Sequence, residues 1–538
     1  MFRRVFISSM IAIALAATAA AAAGSIPVWP STIPLFILVA SAFDVLQRRH
    51  SLLRNYPIVG RLRFALERIR PEMRQYFGES DLDGRPFARE TRSLVYQRAK
   101  GDLQTIPFGT KRRLEMVGTE WIPHAIQPLP PNEREPRVMV GEHVCTRPYS
   151  ASRLNVAAMS YGALSATAIV ALNRGAGLGG FAHNTGEGGV SAYHLEGGGD
   201  LVWQIGTGYF GCRDRDGAFD PARFAERASA PAIKMVEIKL SQGAKPGYGG
   251  ILPASKVTPE IAALRGVPLG ERVVSPPFHS AFSGPKGLLE LVARLRELSG
   301  GKPVGVKLCI GRPRDFFALC KAMRATGIVP DYFAIDGAEA GTGAAPFEFV
   351  NHVGAPLDHG LWLAHGALLG TGLRTKTKLF ASGRIATGFD IFRVLALGAD
   401  GCFAGRAMML ALGCIQALRC NSNDCPVGVA TQDPKLYRAL DPVDKAQRVA
   451  RYHAETVRGL LALVGAAGLA HPDEVTPDHI FRRGSANTVV PLAQIFEPIR
   501  DGSFLEGDIP EALGHEWRLA SAETFAPIRA LDRPRIVG

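Results

Sequence analysis

The stretch PVGVKLCIGRPRDFFALCKAMRATGIVPDYFAIDG, residues 303–337, contains two short apolar runs on either side of an amphipathic segment. The runs PVGVKLCI (303–310) and YFAIDG (332–337) do not alternate hydrophobic with polar residues. Continuous apolar runs are typical of parallel strands that are covered on both faces, because alternation is expected where only one face is buried. The intervening RDFFALCKAMRATG (314–327) has the spacing of a helix, so the stretch predicts a strand–helix–strand unit.

The same order of apolar run and amphipathic segment recurs from residue 153 to residue 405. The further strand candidates are RLNVAAMSY (153–161), AIKMVEIKL (232–240), TKLFASG (377–383) and GCFAG (401–405), with helical segments at 287–298 and 388–399. This repetition predicts an α/β fold of the (β/α)8 TIM-barrel class. The alternative is a doubly wound sheet, but no G-x-G-x-x-G sequence follows a predicted strand. Strands between residues 181 and 231 cannot be located, because HNTGEGGVSAYHLEGGGD (183–200) is rich in glycine.

Composition divides the chain into four regions. They are residues 1–50 with two apolar runs, a polar and arginine-rich helical lead-in over 51–150, the predicted barrel over 151–470, and a C-terminal extension over 471–538. Gly-rich loops at the ends of barrel strands usually line a site. The chemistry is therefore expected within the barrel region.

The first fifty residues predict a membrane hairpin. The basic start MFRR precedes the apolar run VFISSMIAIALAATAAAAAG (5–24), and a second run, IPLFILVASAF (33–43), is followed by QRRH (47–50). The first run is long enough to cross a bilayer, although a basic start and an alanine-rich end also resemble a cleaved signal peptide. Arginines flank both outer ends, which by the positive-inside rule places both ends in the cytoplasm. We therefore expect an anchor in the cytoplasmic membrane, with the catalytic domain facing the cytoplasm.

The chain is basic, with 62 Lys and Arg against 49 Asp and Glu and a formal net charge of +13. Such an excess suits an anionic lipid surface, an acidic protein partner or nucleic acid. The charge is spread along the sequence, and no helix-turn-helix, zinc-finger or aromatic–basic RNA pattern accompanies it. Nucleic-acid binding is therefore not expected, whereas an acidic electron-donor protein is compatible with the charge.

Two Gly-Arg turns indicate a phosphate site. SGRIATG (382–388) and AGRAMM (404–409) each end a predicted strand and open a helix. TIM barrels often bind a phosphate between the loops that follow strands seven and eight. Glycine lets backbone N–H groups approach an anion, and arginine adds charge-assisted bonds. Either turn taken alone could be an ordinary connection with a solvated arginine, but the pair favours FMN. The candidate residues are Gly383, Arg384, Gly405 and Arg406.

Three charged residues are candidates for the reacting end of the site. Lys239 and Lys307 lie in otherwise apolar runs, where a surface position in bulk water is not expected. Either could face the flavin or bind a substrate carboxylate. Glu339, in IDGAEAGTGAAP (335–346), precedes a Gly-rich turn and could orient a substrate amine or bond the turn.

Three of the eight cysteines lie in CIQALRCNSNDCPVGVATQ (414–432). The spacing C-x5-C-x4-C lacks the paired C-x2-C arms and the four ligands of a structural zinc site. Thiolates hold the irons of iron–sulfur clusters, and a Cys-Pro pair often closes such loops. Cys414, Cys420 and Cys425 are therefore candidate cluster ligands, with ordinary buried thiols as the alternative.

Three thiolates suit a cluster of three irons. We expect Cys414 on the helix after the last strand, and Cys420 and Cys425 on the loop beyond it. Cys402 is the nearest candidate for a fourth ligand, but it lies within the predicted strand GCFAG and is expected to point into packing.

These stretches resemble the glutamate synthases. The cysteine stretch is similar to that family's three-iron, four-sulfide motif. MSYGALS (159–165), HNTGEGG (183–189), QGAKPGYGGILPASKV (242–257) and SGRIATGFD (382–390) resemble its FMN domain. The resemblance covers roughly residues 150–470 and implies an FMN barrel beside a 3Fe-4S cluster.

The resemblance also implies an oxidoreductase acting on CH–NH2 donors, in which reduced flavin converts 2-oxoglutarate and ammonia to glutamate through 2-iminoglutarate. It implies that Cys414, Cys420 and Cys425 ligate the cluster. Other implied positions are Met159, Ser160 and Gln204 near the flavin ring, Gly383, Arg384, Gly405 and Arg406 at its phosphate, and Lys239 and Lys307 on active-site strands.

The chain departs from the family's large subunit in two places. A membrane-like segment follows Met1 where the family has an amidotransferase, and Tyr248 stands where the family's glutamate is expected. Nitrogen is then expected from free ammonia or a separate ammonia-supplying subunit, and electrons from ferredoxin or a reductase subunit. Two alternative functions stay open: the large subunit of a methylamine–glutamate N-methyltransferase, and a membrane-tethered electron-transfer subunit.

Overall fold

In the computed structural model, which describes residues 2–25 and 27–526, eight parallel strands close into a barrel. The strands are β1 (Leu154–Val156), β2 (His183–Asn184), β3 (Leu201–Ile205), β4 (Ile233–Lys239), β5 (Val304–Leu308), β6 (Tyr332–Asp336), β7 (Lys378–Ser382) and β8 (Gly401–Ala404). Each strand pairs with its neighbours in the sequence, and β8 closes the barrel on β1 with Cys402 opposite Leu154. The predicted (β/α)8 barrel is confirmed.

The strands occupy the middle of the predicted apolar runs. β4 to β8 stop one or two residues inside the ends of their runs, whereas β1 covers only a third of the run 153–161. β2 and β3 are the strands that the sequence did not locate. β2 has two residues because the chain turns away at Gly186 and Gly189, which both adopt positive φ angles of 65° and 87°.

Helices follow the strands and cover the barrel. In chain order they are Ala166–Gly179, Ala192–Glu196, Pro221–Ala228, Pro259–Arg265, Gly284–Leu298, Pro313–Thr326, Phe347–His352, Leu357–Gly370, Gly388–Ala396 and Arg406–Leu412. Their starts follow local sequence rules, since several carry Pro in the first turn and a Ser, Thr or Asp cap. Ser165, for example, accepts a bond from the backbone N–H of Ala168 at 3.3 Å.

A long C-terminal helix, Pro442–Ala466, packs along the first barrel helix, Ala166–Gly179. Glycine allows the close approach, because a Cβ on Gly175 would come within 2.8 Å of Val449. The short helix Pro434–Tyr437 precedes it. The chain that follows the cysteine stretch is thus packed against the barrel through the long helix.

The flanking regions meet in a small antiparallel sheet. The strand Glu120–Trp121 from the lead-in pairs with Phe481–Arg483, which pairs with Val489–Pro491 from the C-terminal extension. Smaller pairs join Val138–Val140 to Tyr149–Ala151 and Ile251–Leu252 to Val273–Val274. The helices Arg89–Lys100 and Glu511–Leu519 complete the flanks.

The chain divides into two units, residues 1–85 and residues 86–538. In the first unit, the apolar helices Phe2–Ala22 and Trp29–Leu46 pack against each other, and both are long and apolar enough to cross a membrane. A signal sequence passes the same test of length and composition, so membrane spanning stays a prediction. The helices Ser51–Asn55 and Val59–Met73 and a π-helical turn, Arg74–Gly78, follow and form the start of the helical lead-in.

Candidate functional site

A cavity of about 630 Å³ lies at the carboxyl ends of the barrel strands. TIM barrels place their sites at this end, and the volume is within the range of small-molecule pockets. The cavity brings together every residue that the sequence singled out for chemistry. They are Met159, Ser160, Gln204, Lys239, Lys307, Glu339, Gly383, Arg384, Gly405, Arg406, Cys414, Cys420 and Cys425.

The two Gly-Arg turns lie side by side, since β7 and β8 are neighbouring strands with Ser382 opposite Phe403. The helix after β8 begins at Arg406 directly behind Gly405, and no side chain caps it. Its first backbone N–H groups, next to the lining residues Gly405 and Arg406, therefore have no side-chain acceptor among the described residues. A phosphate would find both backbone donors and a guanidinium here.

The turn after β7 is built differently. Thr387 caps the helix Gly388–Ala396, and the carboxylate of Asp390 accepts the backbone N–H groups of Ala386 and Thr387 at 3.0 and 2.9 Å. Burial raises the pKa of Asp390. The N-terminus of this helix is thus already satisfied within the protein. This turn offers an anion chiefly Gly383 and the exposed side chain of Arg384, whose φ is 50°.

Arg406 is held in place by neutral contacts. Its Nη2 donates to the backbone oxygen of Glu339 at 2.7 Å, and its guanidinium lies 5.2 Å from the ring centre of Phe87. Burial, followed by the nearby charge of Arg384, lowers the pKa of Arg406 to about 10. It remains a cation at neutral pH. Within the described residues no carboxylate is bonded to Arg406, so this pair of adjacent cations is suited to an anion.

Glu339 bonds the start of the helix Leu357–Gly370 in this structure. Its carboxylate accepts the backbone N–H of Leu357 at 3.2 and 3.3 Å, while its backbone oxygen accepts Arg406. The predicted contact of the carboxylate with the adjacent Gly-rich turn is not among these bonds, and its role toward a substrate amine stays a prediction. Glu339 therefore helps to position the phosphate-side arginine.

The floor of the cavity holds a buried amide–carboxylate network. The Gln204 Nε2 donates to Glu237 Oε1 at 2.7 Å, and Asn184 Nδ2 donates to the same oxygen at 2.8 Å. Glu237 was not singled out by the sequence, because a lone carboxylate in a predicted strand gives no signal. Met159 and Ser160 line the cavity beside this network, in the segment that leaves β1. No donor from the described part of the chain bonds the Gln204 carbonyl oxygen, so this oxygen can accept a bond from a ligand.

The predicted lysines lie on neighbouring strands, β4 and β5, at the cavity wall. Lys239 is 3.2 Å from Glu187 and also donates to Gln242, and Lys307 is 3.5 Å from Asp336. Burial raises the pKa of Glu187, but Lys239 and Lys245 outweigh it and hold the pKa below the usual value. Both predicted lysines are thus paired cations that face the cavity.

Two further cations line the cavity beside the predicted lysines. Lys245 is buried, and burial followed by the charge of Lys239 lowers its pKa to about 8. Arg265 is also buried, with its pKa lowered to about 10 by burial, and it donates to the backbone oxygen of Tyr161 at 3.1 Å. Seven cations and three carboxylates line the cavity. They are Lys239, Lys245, Arg265, Lys307, Arg384, Arg406 and Arg419 against Glu187, Asp336 and Glu339.

The cysteine stretch forms an irregular loop between Leu412 and Pro434, without helix or strand. Cys414 was expected on the helix after the last strand, and this is wrong. That helix ends at Leu412, Gly413 follows it with a φ of 108°, and Cys414 is the second residue beyond the helix. The hydroxyl of Tyr96 donates to the backbone oxygen of Cys414 at 2.7 Å.

Lys256 binds the cysteine loop through backbone oxygens. Its ammonium donates to the backbone oxygens of Cys420 and Ala430, each at 2.8 Å, and of Ala163 at 3.0 Å. The side chain is 1% exposed, and burial lowers its pKa to about 8 although Cys420 and Cys425 act in the opposite direction. A single lysine in "PASKV" gave no sequence signal for this contact.

The three thiols face one cavity and share one electrostatic environment. Burial raises the pKa of Cys414 to about 12 and also raises that of Cys420, and each is raised further by its neighbouring thiols. None of the three is in a disulfide. Within residues 2–25 and 27–526, no group of three or more His, Cys, Asp or Glu is arranged to hold a metal ion. A single-ion site is therefore not supported.

Cys402 behaves as expected. It is completely buried in β8, and its Sγ donates to the backbone oxygen of Arg153 at 3.2 Å. It does not line the cavity. A fourth thiol is thus not available to a cluster from this strand.

The residues present fit both groups that the sequence suggested. Adjacent cations and open backbone donors suit a phosphate, and an amide oxygen at the other side of the cavity suits the ring of a flavin. Three thiols that line the cavity and are free of disulfides suit an iron–sulfur cluster, whose irons are held by thiolates. The single cavity would place the two groups next to each other.

Comparison with known proteins decides the family. The sequence profile described as "Conserved region in glutamate synthase" matches residues 111–470. The chain belongs to the glutamate synthase family. The prediction of an oxidoreductase that acts on CH–NH2 donors is confirmed by this membership, which also supports FMN as the ligand of the barrel.

Two family members illustrate the extent of the similarity. The glutamate synthase large subunit-like protein YerD of Bacillus subtilis is 37% identical over 488 residues, covering 83% of this chain and 92% of YerD. The archaeal glutamate synthase (NADPH) of Methanocaldococcus jannaschii is 37% identical over 315 residues, which is 58% of each chain. Among solved structures, a lactate oxidase of Pediococcus acidilactici matches 79% of this chain at 14% identity, covering 94% of that chain with a TM-score of 0.41.

Proposed function

We propose that this glutamate synthase family member is an FMN- and iron–sulfur-dependent enzyme that forms glutamate, or a related amino acid, from a 2-oxo acid such as 2-oxoglutarate and ammonia. The observation that carries the proposal is that two anion-binding turns, three thiols and several buried cations line one cavity. When bound, FMN would supply an electron pair to a carbon centre, and a 3Fe-4S cluster would deliver electrons singly.

The chain would hold FMN at two ends. Gly405 and Arg406, with the side chain of Arg384, would bind the phosphate, and Gln204 would accept a bond from the ring. The hydrogen bond from Gln204 Nε2 to Glu237 fixes the amide orientation that this contact needs. Met159 and Ser160 would pack beside the ring.

Lysines at the ends of β4 and β5 would bind the acidic substrate. Lys239 and Lys307 are paired with carboxylates but face the cavity, and Lys245 and Arg265 add charge beside them. Ammonia would add to the keto carbon with loss of water, and the resulting imine would take up two electrons and two protons. Lys245, with a pKa of about 8, is suited to give one of these protons near neutral pH.

Cys414, Cys420 and Cys425 would ligate the cluster as thiolates. Support comes from their common cavity. Burial raises the pKa of Cys414 and of Cys420, so iron binding must displace protons from these two thiols. The ammonium of Lys256, which lies 2.8 Å from the backbone oxygen of Cys420, would offset the negative charge of the cluster.

Turnover assays test the proposal. Full-length protein, reconstituted with FMN, iron and sulfide without oxygen, is mixed with 2-oxoglutarate, ammonium and chemically reduced ferredoxin. Formation of glutamate, and its loss in Lys307→Met with bound FMN retained, is the expected result. Product only from methylamine plus glutamate, or electron transfer without any amino acid product, would replace the proposal by one of the two alternative functions.

We further propose that the two apolar helices anchor the protein in the cytoplasmic membrane with the barrel in the cytoplasm. Support comes from their length and from the arginines on the outer flanks of both runs. An electron donor, ferredoxin or a reductase subunit, and any separate ammonia-supplying subunit would then bind from the cytoplasm. Protease added to intact spheroplasts should leave the barrel uncut, and a soluble periplasmic protein would contradict the anchor.

A further inference from the structure

The helix Val59–Met73 exposes a continuous apolar stripe. Its members recur at the i, i+3, i+4 spacing of one helix face, and each is about half exposed. They are Val59 at 51%, Leu62 at 61%, Leu66 at 55%, Ile69 at 48% and Met73 at 51%. A surface helix of a globular protein normally buries such a stripe in the core. Here the stripe residues stay about half exposed, because no described segment of the chain buries them.

The charge of the segment has one dominant sign. Residues 59–78 contain five arginines and two glutamates. Arg63 and Arg70 lie directly beside the stripe on a helical projection, at its boundary with the polar face. An apolar stripe bordered by arginine is typical of helices that lie in the headgroup region of a membrane. A neutral protein groove would not need this arrangement of arginine beside the apolar residues.

The start of the helix is fixed to the end of the second apolar helix. Arg61 forms a bidentate pair with Asp44, with Nη2 to Oδ1 at 2.6 Å and Nε to Oδ2 at 2.9 Å, and the Ile58 N–H donates to Asp44 Oδ2 at 3.0 Å. Asp44 is completely buried. A Cβ on Gly60 would come within 3.0 Å of Leu53, so glycine allows this tight corner. The amphipathic helix is thereby held where the apolar helix Trp29–Leu46 ends.

We propose that the Val59–Met73 helix lies on the surface of an anionic bilayer, with its apolar stripe in the acyl boundary and with Arg63 and Arg70 at lipid phosphates. The inference rests on the proposed anchoring by the first two helices and extends it. Basic residues close to a membrane are attracted by anionic lipids, and an apolar stripe adds burial in the interface. The corner at Asp44 would turn the chain from a spanning helix to a surface helix in one step.

Tryptophan scanning in vesicles tests the orientation. Leu66→Trp places a reporter on the stripe, and Phe64→Trp is a matched control two residues earlier, about 200° away around the helix. Each full-length variant is reconstituted into phosphatidylglycerol vesicles whose acyl chains are brominated close to the headgroup. The quenching of its tryptophan fluorescence by bromine is compared with that of wild-type protein. The added emission of Leu66→Trp should be blue-shifted and mostly quenched, whereas that of Phe64→Trp should stay unquenched.

The lipid charge provides the second arm. Quenching of Leu66→Trp should decrease in phosphatidylcholine vesicles, and adding Arg63→Gln with Arg70→Gln should reduce it in phosphatidylglycerol. Equal quenching at positions 64 and 66, or none at 66 in protein that stays with the vesicles, would overturn the inference. A blue shift of Leu66→Trp that needs no lipid and grows with protein concentration would assign the stripe to a second copy of the chain instead.

Failure of the anchor itself has a distinct signature. Trp29 lies at the start of the second apolar helix, so wild-type protein should already show quenching of part of its emission. Wild-type protein that neither floats with the vesicles nor shows this quenching would reject the anchor and the surface helix together. Floating, quenched wild-type protein with an unquenched position 66 would reject only the surface helix.

Discussion

The two sides of the cavity at which we propose cofactor binding are constructed in opposite ways. The phosphate side consists of strand ends and helix starts, where Gly383 and Gly405 directly follow β7 and β8. The thiol side is a loop without regular structure, in which the non-glycine residues Gln416, Leu418 and Asn423 adopt positive φ angles. One side is therefore set by the barrel itself. The other depends on side-chain contacts from elsewhere, above all Lys256.

This difference implies that the two sides can be broken separately. Removing a contact on the phosphate side leaves the loop with its own hydrogen bonds from Tyr96 and Lys256. Removing a loop contact leaves the adjacent strand ends paired in the barrel. FMN content and iron content are the two readouts that separate them.

The largest effect is expected from Cys420→Ser, which should abolish cluster iron. A serine hydroxyl replaces the softer thiolate that iron–sulfur sites prefer. Iron and acid-labile sulfide are measured after anaerobic reconstitution, together with FMN, which should be retained. Cys402→Ser is the matched control, since that thiol is buried in β8 and outside the cavity. Iron retained in Cys420→Ser, or lost in Cys402→Ser, would contradict the ligand assignment.

Arg406→Glu should break the phosphate side with a smaller but still large effect. Losing a charge-assisted bond costs about 1.5–3 kcal/mol, and reversal adds repulsion, so the Kd for FMN should rise by about 100-fold or more. Iron content should stay unchanged. Arg384→Glu is the comparison within this side, and its exposed side chain predicts about a tenfold rise. A larger rise in the Kd for FMN from Arg384→Glu than from Arg406→Glu would show that the turn after β7, and not the turn after β8, contributes more to phosphate binding.

Lys256→Met should weaken the thiol side without removing a ligand. Three buried backbone oxygens would lose their donor, at about 1–3 kcal/mol for each group left without a partner. Part of the iron should be lost on gel filtration, while FMN stays bound. Lys302→Met is a matched control, because Lys302 is another buried lysine that donates to backbone oxygens, of Ala228 and Ala230, outside the cavity. Equal iron loss in both variants would show a general folding defect.

The smallest effect concerns the substrate cations between the two sides. Burial lowers the pKa of Lys245 to about 8, so its positive charge is present below that pH and is lost as the pH rises through it. The KM for the 2-oxo acid should therefore increase by about tenfold or less above pH 8. In Lys245→Met, KM should be raised already at neutral pH, and the further increase of KM above pH 8 should disappear. An unchanged pH profile of KM in the variant would exclude Lys245 from substrate binding.

The regular side of the cavity was the easier one to predict. Apolar runs located β4 to β8, and the Gly-Arg pairs at 383–384 and 405–406 marked two adjacent strand ends. The sequence did not show that Asp390 occupies the helix start of one turn and leaves the other open. That difference depends on which amides a carboxylate reaches, and an Asp in a first helical turn is compatible with either outcome.

The irregular side could be recognised only by its cysteine spacing. The three thiols were predicted, but Cys414 was placed on a helix that ends two residues earlier. Lys256, separated from Cys420 by 164 residues, carries no periodic pattern that could connect it to the loop. The pairing of Glu120–Trp121 with Phe481–Arg483 was missed for the same reason, since such contacts between distant segments arise from tertiary packing.

The most direct test of a three-iron cluster beside FMN is low-temperature electron paramagnetic resonance of the anaerobically reconstituted wild-type protein, with FMN content measured on the same sample. Three ferric irons have an odd number of unpaired electrons. The oxidised protein should therefore give a signal that disappears on one-electron reduction, in a sample that also contains FMN. A signal that appears only on reduction would indicate a four-iron cluster, and a protein with bound FMN but no iron signal in either state would contradict the assignment of Cys414, Cys420 and Cys425.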